Sequence, residues 1–199
     1  MELEEFTEKF AIKPNMPFER VMVFIDGAYL RIRCKEFGGH DNINWSNLSW
    51  TFIRMFNTAL NNPFNADLIR IYYYDAKPPE TGPYYEKDMK YFEKIDSQYA
   101  FTVRLGKLVK TPTGDRQKGV DILMAIDALT KAYQNQYDTA MFLLGDADFK
   151  PLVEAVKHAG KKTIGIYYRP TCPKDLDMSF DWRIWLKKEN FETFLEDKP

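Results

Sequence analysis

Three places in the chain carry aspartates at spacings that could do chemistry together. In Ala140-Met141-Phe142-Leu143-Leu144-Gly145-Asp146-Ala147-Asp148-Phe149 an apolar run ends at a glycine and two carboxylates follow. A second apolar run, Val21–Ile25, ends in Asp26-Gly27, and a third acid, Asp121, follows Lys118-Gly119-Val120. Carboxylates held close together repel, and a divalent cation between them relieves that cost. Mg²⁺ or Mn²⁺ takes hard oxygen ligands and keeps several waters, and such a site polarises a phosphoryl oxygen and makes a nucleophile of bound water. Each aspartate alone has a plainer explanation, since Asp caps helices and suits their first turns. The joint pattern points to a metal-phosphate site; no single residue does.

The elements needed to position these acids are legible. Both apolar runs are too short to span a membrane and have the length of strands buried on two faces. Lys150–Val156 reads as a helix with Pro151 in its first turn, and Ala28–Phe37 as another, stopped by Gly38-Gly39. A short helix is expected near Glu4–Phe10, and one capped by Ser46 or Asn47 runs to about Leu60, before Asn62-Pro63. Leu68–Tyr74 and Phe101–Leu105 read as strands, with a helix over Tyr84–Gln98 between them, and Thr111–Gln117, with Pro112 and Gly114, as a loop. Ile122, Ala125, Ile126 and Leu129 recur at helical spacing and predict the buried face of a helix that starts at Asp121. Thr163–Tyr168 is the last of five expected strands. Strand and helix alternate throughout, the pattern of an α/β fold with a mostly parallel sheet and helices on both faces. In such sheets ligands bind at the carboxyl ends of the strands. Asp26 and Asp146 both end apolar strands expected to be central neighbours, and Asp121 begins the helix just before the second of them.

Three of these motifs, in order and spacing, resemble the NYN domain: Val23-Phe24-Ile25-Asp26-Gly27, Lys118-Gly119-Val120-Asp121, and Tyr137-Asp138-Thr139-Ala140 leading to Gly145-Asp146-Ala147-Asp148-Phe149. Gly160-Lys161-Lys162 before the last strand agrees as well. The likeness is narrower to the LabA-like (DUF88) branch of the PIN-like nuclease superfamily. It implies a three-layer PIN-like, Rossmann-like fold, an acidic pocket for Mg²⁺ or Mn²⁺ and, in active members, cleavage of RNA. By motif, Asp26, Asp121, Asp146 and Asp148 are the metal-binding and catalytic positions. The family commonly has asparagine where this chain has Tyr29, and often serine where it has Leu144. Tyr29 and Lys118 are the candidate substrate-binding residues.

The resemblance favours a metal-dependent endoribonuclease acting on single-stranded RNA. A catalytically weak or inactive module that binds RNA or a protein partner is the alternative, and a hydrolase of DNA or of small phosphoesters is a third. Composition is consistent with each. The formal net charge of −1 hides acidic ends: residues 9–188 carry 27 bases against 21 acids, compatible with a polyanion partner. The expected division is an extension over 1–20, a domain over 21–168 and a tail over 169–199 that packs on the sheet edge, with Trp182 and Trp185, and ends in a short helix near Asn190–Leu195. With an acidic start and no long apolar run, neither a signal peptide nor membrane association is expected, and a cytoplasmic protein with Cys34 and Cys172 as free thiols is. A homodimer is left open.

Lesser candidates carry plainer readings. Asp75 could extend the acidic pocket or serve as a turn residue before Pro78-Pro79. Tyr72, Tyr73 and Tyr74 could stack bases but read as structural, and Lys107, Lys110 and Arg116 could follow a phosphate backbone from a mobile loop. Asp127 falls on another helix face, and His40 and His158 lack partners at ligand spacing. No Ser-His-Asp, zinc or P-loop pattern is present.

Overall fold

The computed structural model describes residues 3–39, 41–59, 63–111 and 114–196. His40, Leu60, Asn62 and Pro112, invoked above, lie outside the described residues. The strands are β1 (Phe18–Asp26), β2 (Asn65–Lys77), β3 (Phe101–Thr111), β4 (Gly114–Lys118), β5 (Thr139–Leu143), β6 (Lys162–Tyr167) and β7 (Trp182–Trp185). They form one sheet in the order β4-β3-β2-β1-β5-β6-β7. Every neighbouring pair is parallel except β3 and β4, an antiparallel hairpin at one edge. The helices are α1 (Leu3–Lys9), α2 (Gly27–Gly38), α3 (Trp45–Thr58), α4 (Tyr85–Asp96), α5 (Val120–Tyr133), α6 (Lys150–His158), α7 (Lys174–Asp177) and α8 (Lys188–Glu192).

The two apolar runs are continuous because helices cover both faces of the sheet. Along β1, Val21, Val23 and Ile25 join one core with Leu30 of α2, Trp45, Phe52 and Phe56 of α3, and Phe92 and Ile95 of α4. Met22 and Phe24, pointing the other way, join a second core with Met124 and Ala128 of α5 and Val153 and Val156 of α6. Each such buried side chain contributes about 1.5–3 kcal/mol. The lead-in to β1 is pinned by Asn65, whose amide accepts from the Lys13 N–H and donates to the Lys13 and Met16 carbonyls.

Among the described residues seven strands form where five were expected. Gly114–Lys118, read as loop up to Gln117, pairs with Lys107–Thr111; an edge strand is solvated along one side and tolerates charged, turn-rich sequence. At the opposite edge, Trp182–Trp185 of the tail pairs with β6. The β2 strand extends to Lys77, so Asp75 lies within it and is not a turn residue. The cap of α3 is Asn44, neither Ser46 nor Asn47: its side chain accepts from the Asn47 N–H at 3.0 Å.

The buried face of α5 is also not the expected one. Val120, Met124, Asp127, Ala128 and Ala132 face inward, whereas Ile122 and Ile126 are 63% and 56% exposed. The helix is apolar nearly all round, and the bulky isoleucines lie on the wrong side of the alanines that allow close packing. No helix among the described residues is long and apolar enough to cross a membrane. Cys34 and Cys172 are free thiols, the first buried.

Candidate active site at the acidic rim

Because β1 and β5 are parallel neighbours with Ile25 beside Leu143, Asp26 and Asp146 emerge at the same rim of the sheet. Asp26 caps α2, its carboxylate accepting the Tyr29 N–H at 3.0 Å. Asp146 caps the 3-10 turn Ala147–Phe149 and accepts the Asp148 N–H at 3.0 Å. The plain capping role is therefore real for both residues. Asp121 sits in the first turn of α5, entered through Gly119 at φ 81°, a left-handed conformation that suits glycine.

Asp121 interacts electrostatically with the other three carboxylates. Burial pushes the Asp26 carboxyl above its ordinary range, the Tyr29 N–H pulls it back, and the charge of Asp121 pushes it up again. Asp121, although exposed, is raised by partial burial and then by the charges of Asp146 and Asp148. Asp121 thus lies within the field of the other three. Among the described residues none of the four is held in an ion pair; the arginines and lysines engage other acids, such as Asp75, Asp127 and Asp138.

This is a partial fit to a divalent ion. The donors are hard oxygens whose repulsion a cation would relieve. Yet among the described residues no group of three or more His, Cys, Asp or Glu side chains stands close enough to hold a metal. The set suits a hydrated ion bound through one or two carboxylates, the usual habit of Mg²⁺, and not a closed protein cage.

The other candidates are placed as follows. Lys118 is exposed at the end of β4, three residues before Asp121. Tyr29 is half-buried: its ring packs over Gly145, its hydroxyl accepts the Tyr168 N–H at 2.9 Å, and Arg33 stacks on it. Tyr73 and Tyr74 are fully buried, and Tyr72 lies under Lys131. Asp127 is buried away from the rim, bonded to the Tyr74 hydroxyl and paired with Arg104 and Lys131. Lys107 and the backbones of Lys110 and Arg116 belong to the hairpin and not to a loop. A cleft of about 530 Å³ lies elsewhere, lined by Lys9, Phe10, Trp50, Arg54 and Glu189 among others.

Two features of the rim escaped the sequence reading. Asp75, 2% exposed, is ion-paired with Arg31 and accepts from the Tyr73 hydroxyl at 3.1 Å. Arg31 lies near enough to Asp26 to offset part of the rise in its pKa. A usable signal existed: an acid at the end of a buried strand needs a cation, and Arg31, in the helix that follows Asp26, could supply it. The second feature is Arg169 stacked on Trp185, where β7 ends.

The NYN domain profile matches residues 20–186. Among solved structures, a protein of unknown function from Vibrio parahaemolyticus is similar over 93% of this chain and 100% of its own, at TM-score 0.63 and 16% identity, a likeness of fold alone. A candidate oxidoreductase from Parabacteroides merdae is similar over 85% of this chain and 32% of its own, at 10% identity and TM-score 0.33, too weak to carry an argument. No curated protein matches the chain.

Proposed function

Because the chain belongs to the NYN domain family, which sits with the PIN-like nucleases, we propose that it is a divalent-metal-dependent endoribonuclease that hydrolyses single-stranded RNA at its acidic rim. One observation carries the reading: Asp26 ends β1, Asp146 and Asp148 follow its parallel neighbour β5, and Asp121 from α5 interacts electrostatically with all three, none of the four being ion-paired among the described residues. The motif agreement with the LabA-like branch supports it further.

In this reading Asp26, Asp146 and Asp148 would hold Mg²⁺ or Mn²⁺, and Asp121 would complete the ligand set or orient the attacking water. When bound, the ion supplies a polarised phosphoryl oxygen and an acidified water. The chain's own groups would supply the rest. Asp121, its carboxyl raised, orients the attacking water and takes its proton. Lys118, exposed at the hairpin end, meets a backbone phosphate. The caps that Asp26 and Asp146 make hold their carboxylates in fixed rotamers, so little reorganisation is needed when substrate arrives.

Purified protein incubated with labelled single-stranded RNA and Mn²⁺, beside Asp146→Asn, tests this. Cleavage that stops with chelator and with the substitution is expected; cleavage that survives either one sinks the mechanism. Single-stranded DNA and a generic phosphodiester in parallel separate RNA specificity from a broader phosphoesterase. A second reading, an RNA-binding module without turnover, is favoured by the lack, among the described residues, of three acids close enough to hold one ion. Tight binding indifferent to chelator, with no product, would support it.

A further inference from the structure

We propose that Arg169 and Trp185 form a base-stacking platform that guides a single nucleic-acid strand toward the acidic rim. This rests on the nuclease reading for its substrate class, but its geometry stands apart from the carboxylates. The Arg169 guanidinium lies 4.0 Å from the centre of the Trp185 ring. Arg169 is exposed and Trp185 is 43% exposed, an unusual place for an indole.

The exposure follows from the strand. Along β7, Trp182 and Ile184 turn toward the core while Arg183 and Trp185 turn outward. Nor is the strand loosely attached. The Leu186 N–H reaches the Tyr167 carbonyl at 2.9 Å, and Asp181 accepts the Thr163 N–H at 2.8 Å and pairs with Lys157. A fixed ring with two exposed arginines around it, neither ion-paired among the described residues, suits a polyanion that carries flat rings. Bases stack on aromatic faces and guanidinium planes, while the arginine charge meets the phosphates.

Position links the platform to the acids. Strands β1, β5, β6 and β7 are parallel in sequence across the sheet, so their carboxyl ends share one rim. Trp185 stands two strand spacings from the end of β5, roughly 10 Å. Tyr29 spans the interval: it follows Asp26, packs over Gly145 beside Asp146, and accepts the N–H of Tyr168, the residue before Arg169. A strand stacked at Trp185 would therefore place a phosphate a short distance along at the carboxylates.

The test uses the full chain, chelator to stop turnover, and short fluorescein-labelled single-stranded RNA and DNA read by anisotropy. Trp185→Ala and Arg169→Ala should each weaken binding by about 5- to 100-fold, and Trp185→Phe should recover most of the loss. Base stacking should also quench tryptophan emission in the wild type and less so in Trp185→Phe. Thermal melting checks each fold, and if Trp185→Ala does not fold, Arg169→Ala decides. Wild-type affinity in both alanine variants overturns the platform and leaves the nuclease reading standing. A wild type that binds no nucleic acid either in chelator or in Mn²⁺ overturns both. Binding that depends on Trp185, with no cleavage when Mn²⁺ replaces the chelator, supports the platform and removes the hydrolytic reading.

Discussion

The ring of Tyr29 fills the space that a side chain at Gly145 would need, and its hydroxyl accepts the Tyr168 N–H at 2.9 Å. One side chain from α2 thereby ties together the ends of β1, β5 and β6. A β-carbon at position 145 would overlap the ring itself. Gly145→Ala should cost about 1–3 kcal/mol by overpacking, and adding Tyr29→Ala should return part of that loss instead of adding to it. Tyr29→Phe removes only the hydrogen bond and should cost about 1 kcal/mol. Urea unfolding midpoints at constant m value measure all of these.

The acidic rim should behave as a charge cluster that the fold tolerates at a cost. Asp26 and Asp121 are raised in the folded state, so their ionised forms oppose folding, and that penalty fades as pH falls through their raised pKa values. Asp26→Asn, whose amide oxygen can still cap α2, should therefore melt higher near pH 7. The expected gain is about 2–4 °C for each kcal/mol at this chain length. The same change should lower RNA cleavage on the order of 10²–10³-fold. Added Mn²⁺ should raise the melting temperature of the wild type and do less for the variant.

Asp138 runs the other way. Its hydrogen bond and ion pair with Arg20 hold its carboxyl below the ordinary range, so its contribution is full above the unfolded pKa of about 3.9 and is lost as pH falls through the lower folded value. The pair is partly exposed, and the effect should be small. Asp138→Asn should lower the melting temperature slightly at pH 7 and leave it unchanged at the acid end, which a pH series of melts would show.

Arg31, partly exposed, pairs with the buried Asp75, and the arginine cannot be removed cheaply. Arg31→Ala strands the Asp75 carboxylate and should cost about 3 kcal/mol, toward the low end for such losses because the Tyr73 hydroxyl still donates to it. Arg31→Met with Asp75→Asn should be more stable than Arg31→Ala alone. If the single and double variants unfold at the same urea concentration, Asp75 is not the reason Arg31 matters.

The two thiols should be sluggish. Burial pushes Cys34 up to about 12 and, first among its causes, Cys172 up to about 11. Raised values mean little thiolate at pH 8, so iodoacetamide should label the native chain slowly, Cys172 before Cys34, and faster as pH climbs. Mass spectrometry after timed quenching follows both sites.

What could be read from the chain alone follows from which forces are local. The central strands announce themselves because burial on two faces demands unbroken apolar runs, and Val21–Ile25 and Ala140–Leu144 have nothing else to be. The edges do not: Gly114–Lys118 and Trp182–Trp185 are strands only because β3 and β6 offer unpaired backbone. On α5 the pattern misled, since size suggested the isoleucines and close packing selected the alanines. At the rim, neighbouring strand ends for Asp26 and Asp146 were expected and are found. For the Arg31–Asp75 pair the chain shows only that a buried acid needs a cation; which cation meets it, 44 residues away, depends on tertiary structure.

A single left-handed residue, Gly119, separates the root of the edge hairpin at Lys118 from the helix that carries Asp121. One inserted residue at that junction would swing the carboxylate about 100° around the helix axis. Lengthening the hairpin at its far end would leave the acid where it is. Variation among descendants of this fold should then accumulate away from this junction, while the count of residues between Lys118 and Asp121 stays constant.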